Sequence, residues 1–171
     1  MKKIYLTAII VIIVLILIVT TIPNNEESTN CSDYERQTLI DSCYMDKAMK
    51  NEDSQFCEKI SGIKETCYLH LAKKTANTDL CQKAGEQEQF CYELIAINTS
   101  SVETCSIIDD RAIRDNCYLR LAENKTNPQV CDKITNSGEK DRCYYRLAQS
   151  GLDVCEKIER DNLRQECKTL S

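Results

Sequence analysis

The chain has 171 residues, of which twelve are cysteine and only four glycine and two proline. The low glycine and proline content argues against a loop-rich miniprotein and against a β-rich fold with many tight turns. The net charge is −5, and residues 24–171 carry 20 basic and 27 acidic side chains. An acidic chain lacks the concentrated positive charge that nucleic-acid binding requires, so we expect no nucleic-acid partner.

The amino-terminal segment is strongly apolar. Residues 4–22 are 19 residues without a charge, preceded by Lys2 and Lys3. A helix of this length nearly spans a hydrocarbon core, and the paired lysines favour a cytoplasmic amino terminus. A cleaved signal peptide is the alternative, but the apolar run is longer than usual and residues 19–23 make a poor cleavage site. We predict a transmembrane signal anchor at residues 1–23, contacting the membrane through 4–22, and a polar linker at 24–30.

The cysteines form two interleaved series with steps of 24 or 26 residues, which defines six repeats. The first series is Cys31, Cys57, Cys81, Cys105, Cys131 and Cys155. The second series is Cys43, Cys67, Cys91, Cys117, Cys143 and Cys167. Such periodicity indicates a repeat architecture in which neighbouring units bury a shared core. We predict an all-α fold in which residues 31–171 form a short α-solenoid of six disulfide-linked αα-hairpin repeats.

Apolar residues near each cysteine predict two helices per repeat. The first cysteine lies in an apolar-Cys-x-Lys-Ile pattern, and the second in a Cys-Tyr-x-x-Leu-Ala pattern that places one apolar stripe on a helix. Four residues extend this stripe upstream: Leu39, Ile63, Ile113 and Leu163. Glycine, serine, asparagine and proline residues separate the segments, so we expect helices of about 8 and 12 residues. Ser54, Thr78, Ser101 and Asn127 are candidate helix caps.

Two disulfide schemes fit the periodicity. Pairing within each repeat uses all twelve cysteines, whereas pairing across repeats, as in Cys67–Cys81, leaves Cys31 and Cys167 unpaired. Exported proteins seldom keep unpaired thiols, and only pairing within repeats leaves none. We therefore favour that scheme. Each bridge then closes a short loop and contributes about 3 kcal/mol on the chain-entropy model. The nearly constant spacing from each second cysteine to the next first cysteine has two interpretations, an inter-repeat bridge or a fixed inter-repeat turn.

No motif for catalysis, cofactor binding or metal binding is present in the sequence. Cys-x2-Cys pairs are absent, and His70 is the only histidine, at a position predicted to face solvent. We therefore expect no catalytic, cofactor-binding or metal site. A secreted hydrolase or thiol enzyme is the least favoured alternative.

Three other features are candidates for function. Glycosylation acceptor patterns occur at Asn30, Asn98 and Asn124, the last two predicted in inter-repeat turns. Recurrent tyrosines, at Tyr44, Tyr68, Tyr92, Tyr118 and Tyr144, are expected in the core with hydroxyls at its edge. The position after each tyrosine is apolar in four of five cases, at Met45, Leu69, Leu119 and Tyr145. These four form either an exposed stripe for a protein or peptide partner or a surface that packs on the next repeat.

The sequence thus predicts a single-pass membrane protein whose amino terminus is cytoplasmic and whose repeats are extracytoplasmic. Because repeat arrays offer long surfaces, we expect a non-enzymatic protein-interaction or scaffold module. A purely structural spacer or envelope protein is the alternative.

Overall fold

A computed structural model describes residues 30–170, and all regular secondary structure in that range is helical. Six long helices, α1–α6, follow one another, one in each repeat. They are Gln37–Asn51, Lys64–Thr75, Glu88–Thr99, Arg111–Lys125, Ser137–Gln149 and Asp161–Cys167. No helix of residues 30–170 is both long and apolar enough to cross a membrane. The predicted anchor lies outside the described residues.

Each long helix is preceded by a short lead segment that contains the first cysteine. The lead segments are Cys31–Asp33, Ser54–Lys59, Thr78–Lys83, Val102–Ser106, Pro128–Cys131 and Cys155–Lys157. Four of them are 3₁₀ helices and two are short α-helices. They have three to six residues, so the predicted length of about 8 residues for the first helix of each repeat is wrong.

The lead segments are short because one turn is enough to bury their apolar residues. In the second repeat the Ile60 backbone N–H donates to the Cys57 carbonyl, a 3₁₀-type bond that recurs at Ile134 and Ile158. In a 3₁₀ helix, residues three apart lie directly above one another. The cysteine and the isoleucine three residues later therefore face the same side, and Cys57 and Ile60 are both buried.

All twelve cysteines are paired within repeats, which is the first of the two schemes that the spacing allows. The disulfides are Cys31–Cys43, Cys57–Cys67, Cys81–Cys91, Cys105–Cys117, Cys131–Cys143 and Cys155–Cys167. Each bond joins a lead segment to its own long helix. Each long helix also packs against the long helix of the next repeat.

The constant spacing between repeats belongs to a turn rather than to a disulfide. Four long helices end at a residue with left-handed backbone: Glu52, Ala76, Ser100 and Thr126. In the second repeat, the Ala76 and Asn77 N–H groups both donate to the Ala72 carbonyl, which closes the helix end. Asn77 then caps the next lead segment by accepting from Asp79 N–H at 3.0 Å.

The caps differ in part from those predicted. Ser101 and Asn127 are caps as expected, with their side chains accepting from Thr104 and Gln129 N–H. At the two earlier junctions the cap is Asp53 or Asn77, one residue before the predicted Ser54 and Thr78. The residue after the left-handed one is the cap in all four cases, because that geometry turns the chain into extended backbone.

The left-handed turn predicts an unusual response to glycine. Ala76 is exposed and has φ of 54°, a conformation that costs an L-residue roughly 1–2 kcal/mol and glycine very little. We expect Ala76→Gly to raise the free energy of unfolding by roughly 0.5–1 kcal/mol, measured by denaturant titration. The control Ala112→Gly, at an exposed site inside α4, should lower it by a similar amount. Loss of stability in both variants would contradict the assignment of the turn.

Candidate functional site

The predicted partner stripe is largely buried. Leu69 and Leu119 are 6% and 4% exposed and belong to the core, and Met45 and Tyr145 are half-buried against it. An exposed apolar stripe at these positions is therefore wrong. The packing of each long helix on the next one covers them, which is the other interpretation that the sequence allowed.

At the equivalent position of the third repeat the chain has a buried acid. Glu93 is 4% exposed, and its Oε1 accepts from Asn116 Nδ2 at 2.6 Å and from Arg120 at 3.1 Å, both in the fourth repeat. In the fifth repeat the Tyr145 hydroxyl donates to Glu166 of the sixth at 2.7 Å. This position therefore makes polar or apolar contact with the next repeat.

Three other buried carboxylates also link successive repeats, and we call them the linking carboxylates: Asp41, Asp115 and Asp141. Each lies two residues before a second cysteine and accepts from two consecutive backbone N–H groups in the turn of the next repeat. Asp141, for example, accepts from Glu159 N–H at 2.7 Å and Arg160 N–H at 3.1 Å. The donors lie just before the next long helix, where backbone N–H groups have no intrahelical partner.

Hydrogen bonding sets the ionisation of two linking carboxylates. Burial raises the pKa of Asp41, but hydrogen bonds from Gln37 and from Ser61 and Gly62 N–H outweigh it, and the pKa is lowered overall. Burial likewise raises the pKa of Asp141, and Glu159 N–H and the Arg160 side chain bring it below its usual value. Both groups are therefore charged at neutral pH.

Five recurrent tyrosines were predicted to lie in the core, and four of them are buried there. Tyr68, Tyr92, Tyr118 and Tyr144 are at most 7% exposed, and Tyr44 is half-buried. The Tyr68 hydroxyl donates to Glu58, and Lys83 Nζ lies 5.1 Å from the centre of the Tyr68 ring. Burial and the nearby Glu58 carboxylate raise the pKa of Tyr68, so its hydroxyl remains a donor.

His70 is exposed on α2, where the sequence placed it. The His70 side chain makes no hydrogen bond or ion pair with another residue in the range 30–170. Nor do residues 30–170 contain a His, Cys, Asp or Glu cluster able to hold a metal ion.

The glycosylation acceptors are accessible, but two of them lie elsewhere than expected. Asn30, Asn98 and Asn124 are all exposed. Asn98 and Asn124 occupy the last turns of α3 and α4, not the inter-repeat turns. Asn30 caps the first lead segment by accepting from Ser32 N–H at 3.3 Å.

A different surface carries exposed apolar residues. Counting from the second cysteine of each repeat, positions −4 and −1 lie on one side of the long helix, or directly before its first residue in the case of Ile63 and Gln87, and we call this side the front face. Leu39, Ile63 and Phe90 on it are 39%, 42% and 44% exposed. Leu39 and Ile63 were predicted to extend the core stripe, which is wrong. At about 100° per residue, position −4 lies on the far side of the cysteine from the buried tyrosine, at the edge of the core.

The front face changes character along the chain. In the first three repeats its six positions carry no charge: Leu39, Ser42, Ile63, Thr66, Gln87 and Phe90. In the fourth repeat they are Ile113 and Asn116, also uncharged, and only the last two repeats carry charged residues there: Glu139, Arg142 and Glu166. Ile113 and Leu163 pack partly into the core. The front face is thus uncharged in the first four repeats and partly charged in the last two.

No family model, curated protein or solved structure matches this chain.

The linking carboxylates predict a specific loss of stability. In Asp141→Asn, the amide nitrogen of asparagine cannot accept the second turn N–H, and the charge opposite Arg160 is lost. We expect the free energy of unfolding to fall by about 2 kcal/mol. Asp46→Asn, a control at an exposed aspartate, should change it by less than about 0.5 kcal/mol. Equal effects in a urea titration would show that the buried carboxylate does not hold the repeats together.

Acid should weaken the array through the same groups. The pKa values of Asp41 and Asp141 are lower in the folded chain than in the unfolded chain. Their ionised forms therefore contribute fully to the free energy of unfolding above the unfolded pKa of about 4, and this contribution is lost as the pH falls through the folded pKa values. We expect the stability difference between the natural chain and Asp141→Asn to be constant from about pH 5 to 7 and to narrow below about pH 4. A difference that widened in acid would contradict the assignment.

Proposed function

We propose that this protein is a membrane-anchored, extracytoplasmic protein-interaction module with no catalytic activity. In this proposal the six disulfide-linked units stack in chain order as a short α-solenoid. Residues 4–22 anchor the array, because they are uncharged and follow Lys2 and Lys3. The six disulfides support an oxidising compartment outside the cytoplasm.

The observation that carries the proposal is the exposed apolar row at Leu39, Ile63 and Phe90. Large side chains recur on the front face of three consecutive repeats, each more than a third exposed. A row of this kind on a rigid surface is typical of a site that binds another protein. The core does not need these residues, because the buried positions around the cysteines fill it.

A purely structural spacer is the second candidate. It is favoured by the pairing of every cysteine and by the burial of most of the sulfur atoms in the core. A spacer, however, needs only a soluble surface, and the apolar row works against solubility. The two candidates therefore differ in whether the front face contacts another macromolecule.

Site-directed photo-crosslinking in the native cells separates these candidates. The chain offers a matched pair of exposed isoleucines: Ile63 on the front face, 42% exposed, and Ile107 after the fourth lead segment, 49% exposed. Each is replaced in turn by p-benzoylphenylalanine and the cells are irradiated. We expect a discrete protein adduct from position 63 and none from position 107.

The control variants keep this result interpretable. Ile63→Ser should leave the unfolding transition nearly unchanged, because the side chain is exposed, whereas Leu69→Ser should destabilise the fold by about 2–4 kcal/mol. Absence of an adduct at both positions, in protein that is folded and fully disulfide-bonded, would favour the spacer. Equal adducts at both would show that the front face is not the binding surface.

A further inference from the structure

Two of the asparagine acceptors occupy equivalent positions in consecutive repeats. Asn98 and Asn124 each lie seven residues after the second cysteine of their repeat, in the last turn of α3 and of α4. Both side chains are exposed, and neither makes a hydrogen bond within residues 30–170. Each side chain can therefore react without breaking a contact that the fold uses.

The third residue of each of these acceptor patterns lies at the left-handed turn. Ser100 and Thr126, two residues after the asparagines, have φ of 58° and 49°. Threonine is poorly suited to this backbone, because its branched Cβ crowds the following carbonyl oxygen. Neither hydroxyl makes a hydrogen bond within the part of the chain that the structure describes, so the fold gives no reason for a hydroxyl here. A modifying enzyme that recognises Asn-x-Ser/Thr supplies one.

The two patterns also lie on the same surface, away from the front face. Ser100 and Thr126 both line one open cleft of about 510 Å³. On α3, Asn98 follows the exposed Phe90 of the front face by eight residues, which is about 12 Å along the helix axis. A sugar chain on Asn98 would thus stand at the opposite end of the long helix and leave the front face accessible.

The third acceptor pattern is used by the fold itself. Asn30 Oδ1 accepts from the backbone N–H and the hydroxyl of Ser32, at 3.3 and 2.5 Å, and caps the first lead segment. The residue between them, Cys31, is buried and bonded to Cys43. Binding of the folded chain to a modifying enzyme would require Asn30 to leave this cap and Cys31 to leave the core. The other two patterns require only that the last turn of a helix open, and helix ends fray readily.

We propose that Asn98 and Asn124 carry N-linked glycans, added on the extracytoplasmic side of the membrane. In the transfer, the side-chain amide nitrogen of asparagine bonds to the anomeric carbon of a sugar carried on a polyprenyl phosphate or pyrophosphate. The bond from that carbon to the phosphate oxygen breaks, the lipid phosphate leaves with the bonding electrons, and the amide loses one proton. This inference rests on the extracytoplasmic location in the proposed function and requires no partner protein at the front face.

Peptide mass spectrometry of the full-length chain, purified from its native cells, tests this proposal. Cleavage after glutamate places each of the three patterns on its own peptide. We expect sugar adducts on Asn98 and Asn124, located by electron-transfer fragmentation, and none on Asn30. Asn51, an exposed asparagine in the last turn of α1 that lacks the acceptor pattern, should also be unmodified.

Substitutions at the left-handed residue separate an N-linked glycan from other adducts. Thr126→Ala removes the hydroxyl but introduces the residue that the same turn contains at Ala76, so the fold should be retained. We expect Thr126→Ala to lower the intact mass by one glycan as well as the side-chain difference, whereas Thr126→Ser should keep the glycan. Asn98→Gln should remove the other glycan and leave the adduct on Asn124.

Absence of the adduct from either Asn98 or Asn124 in the natural chain would overturn the proposal. An adduct that persists in Thr126→Ala, or that is located on a serine or threonine, would do so as well, because neither is an N-linked glycan on this pattern. An equal adduct on Asn30 would contradict the distinction that the structure makes. Counting free thiols in the same sample recognises failure of the proposed location separately, because a chain that remains in the cytoplasm keeps its cysteines reduced.

Discussion

The fold depends on one disulfide per repeat, because the two segments that it joins are too short to be stable separately. A lead segment of three to six residues makes at most a turn or two of helix, and isolated helices of that length do not persist in water. The bond fixes this turn against the long helix, and in five of the six repeats the apolar residue three positions after the first cysteine is buried. The same constraint holds the following turn in place, and that turn supplies the N–H donors for contact with the preceding repeat.

The contact between repeats follows from the donors which that turn exposes. When the preceding repeat covers the start of a long helix, unpaired backbone N–H groups would be buried at a cost of about 1–3 kcal/mol each. A linking carboxylate accepts two of them at once, which satisfies the donors and compensates for burying its own charge. Gln89 does this with one oxygen, accepting from Asp109 N–H at 2.7 Å and Asp110 N–H at 3.4 Å.

The second repeat departs from this arrangement, and its local backbone shows why. Glu65 occupies the linking position but is exposed. The turn before the long helix of the third repeat includes an extra 3₁₀ helix, Gly85–Gln87, whose first residue, Gly85, has φ of 58°. A Cβ on Gly85 would lie 3.1 Å from Glu65 Cγ, so the turn approaches the glutamate stem closely. Here glycine permits contact through carbon atoms where the other repeats use hydrogen bonds.

Cysteine spacing was sufficient to predict a helical fold with a repeated disulfide pattern, because sulfur positions are constrained by the covalent bond. The type of the lead segments was not predictable, since an apolar residue three positions after Cys57 suits an α-helix and a 3₁₀ helix equally. Burial of Leu69 and Leu119 was one of two interpretations that the sequence allowed, and the pattern within one repeat does not decide between them. Helical periodicity within one repeat places them outside the stripe, and the atoms that cover them belong to the next repeat.

A signal for the inter-repeat contact was nevertheless present in the sequence. An acid or amide stands two residues before every second cysteine, where a core stripe alone gives no reason for a polar residue. These residues are Asp41, Glu65, Gln89, Asp115, Asp141 and Gln165. A polar side chain repeated beside a core indicates a structural hydrogen bond, since buried polar groups require partners. The sequence shows that such a side chain can accept a hydrogen bond. It does not show the donors, because these are backbone N–H groups about 20 residues later in the chain.

The variation among repeats separates what the fold requires from what it leaves free. The cysteines recur in all six repeats and the tyrosine in five, whereas positions −4 and −1 are uncharged in the first four repeats and include charged residues in the last two. Solubility alone would favour charge at every exposed position, so it does not account for Leu39, Ile63 and Phe90. Nor does packing, because each of the three is more than a third exposed. In the proposed function, contact with a partner protein supplies a physical reason to keep large apolar side chains there.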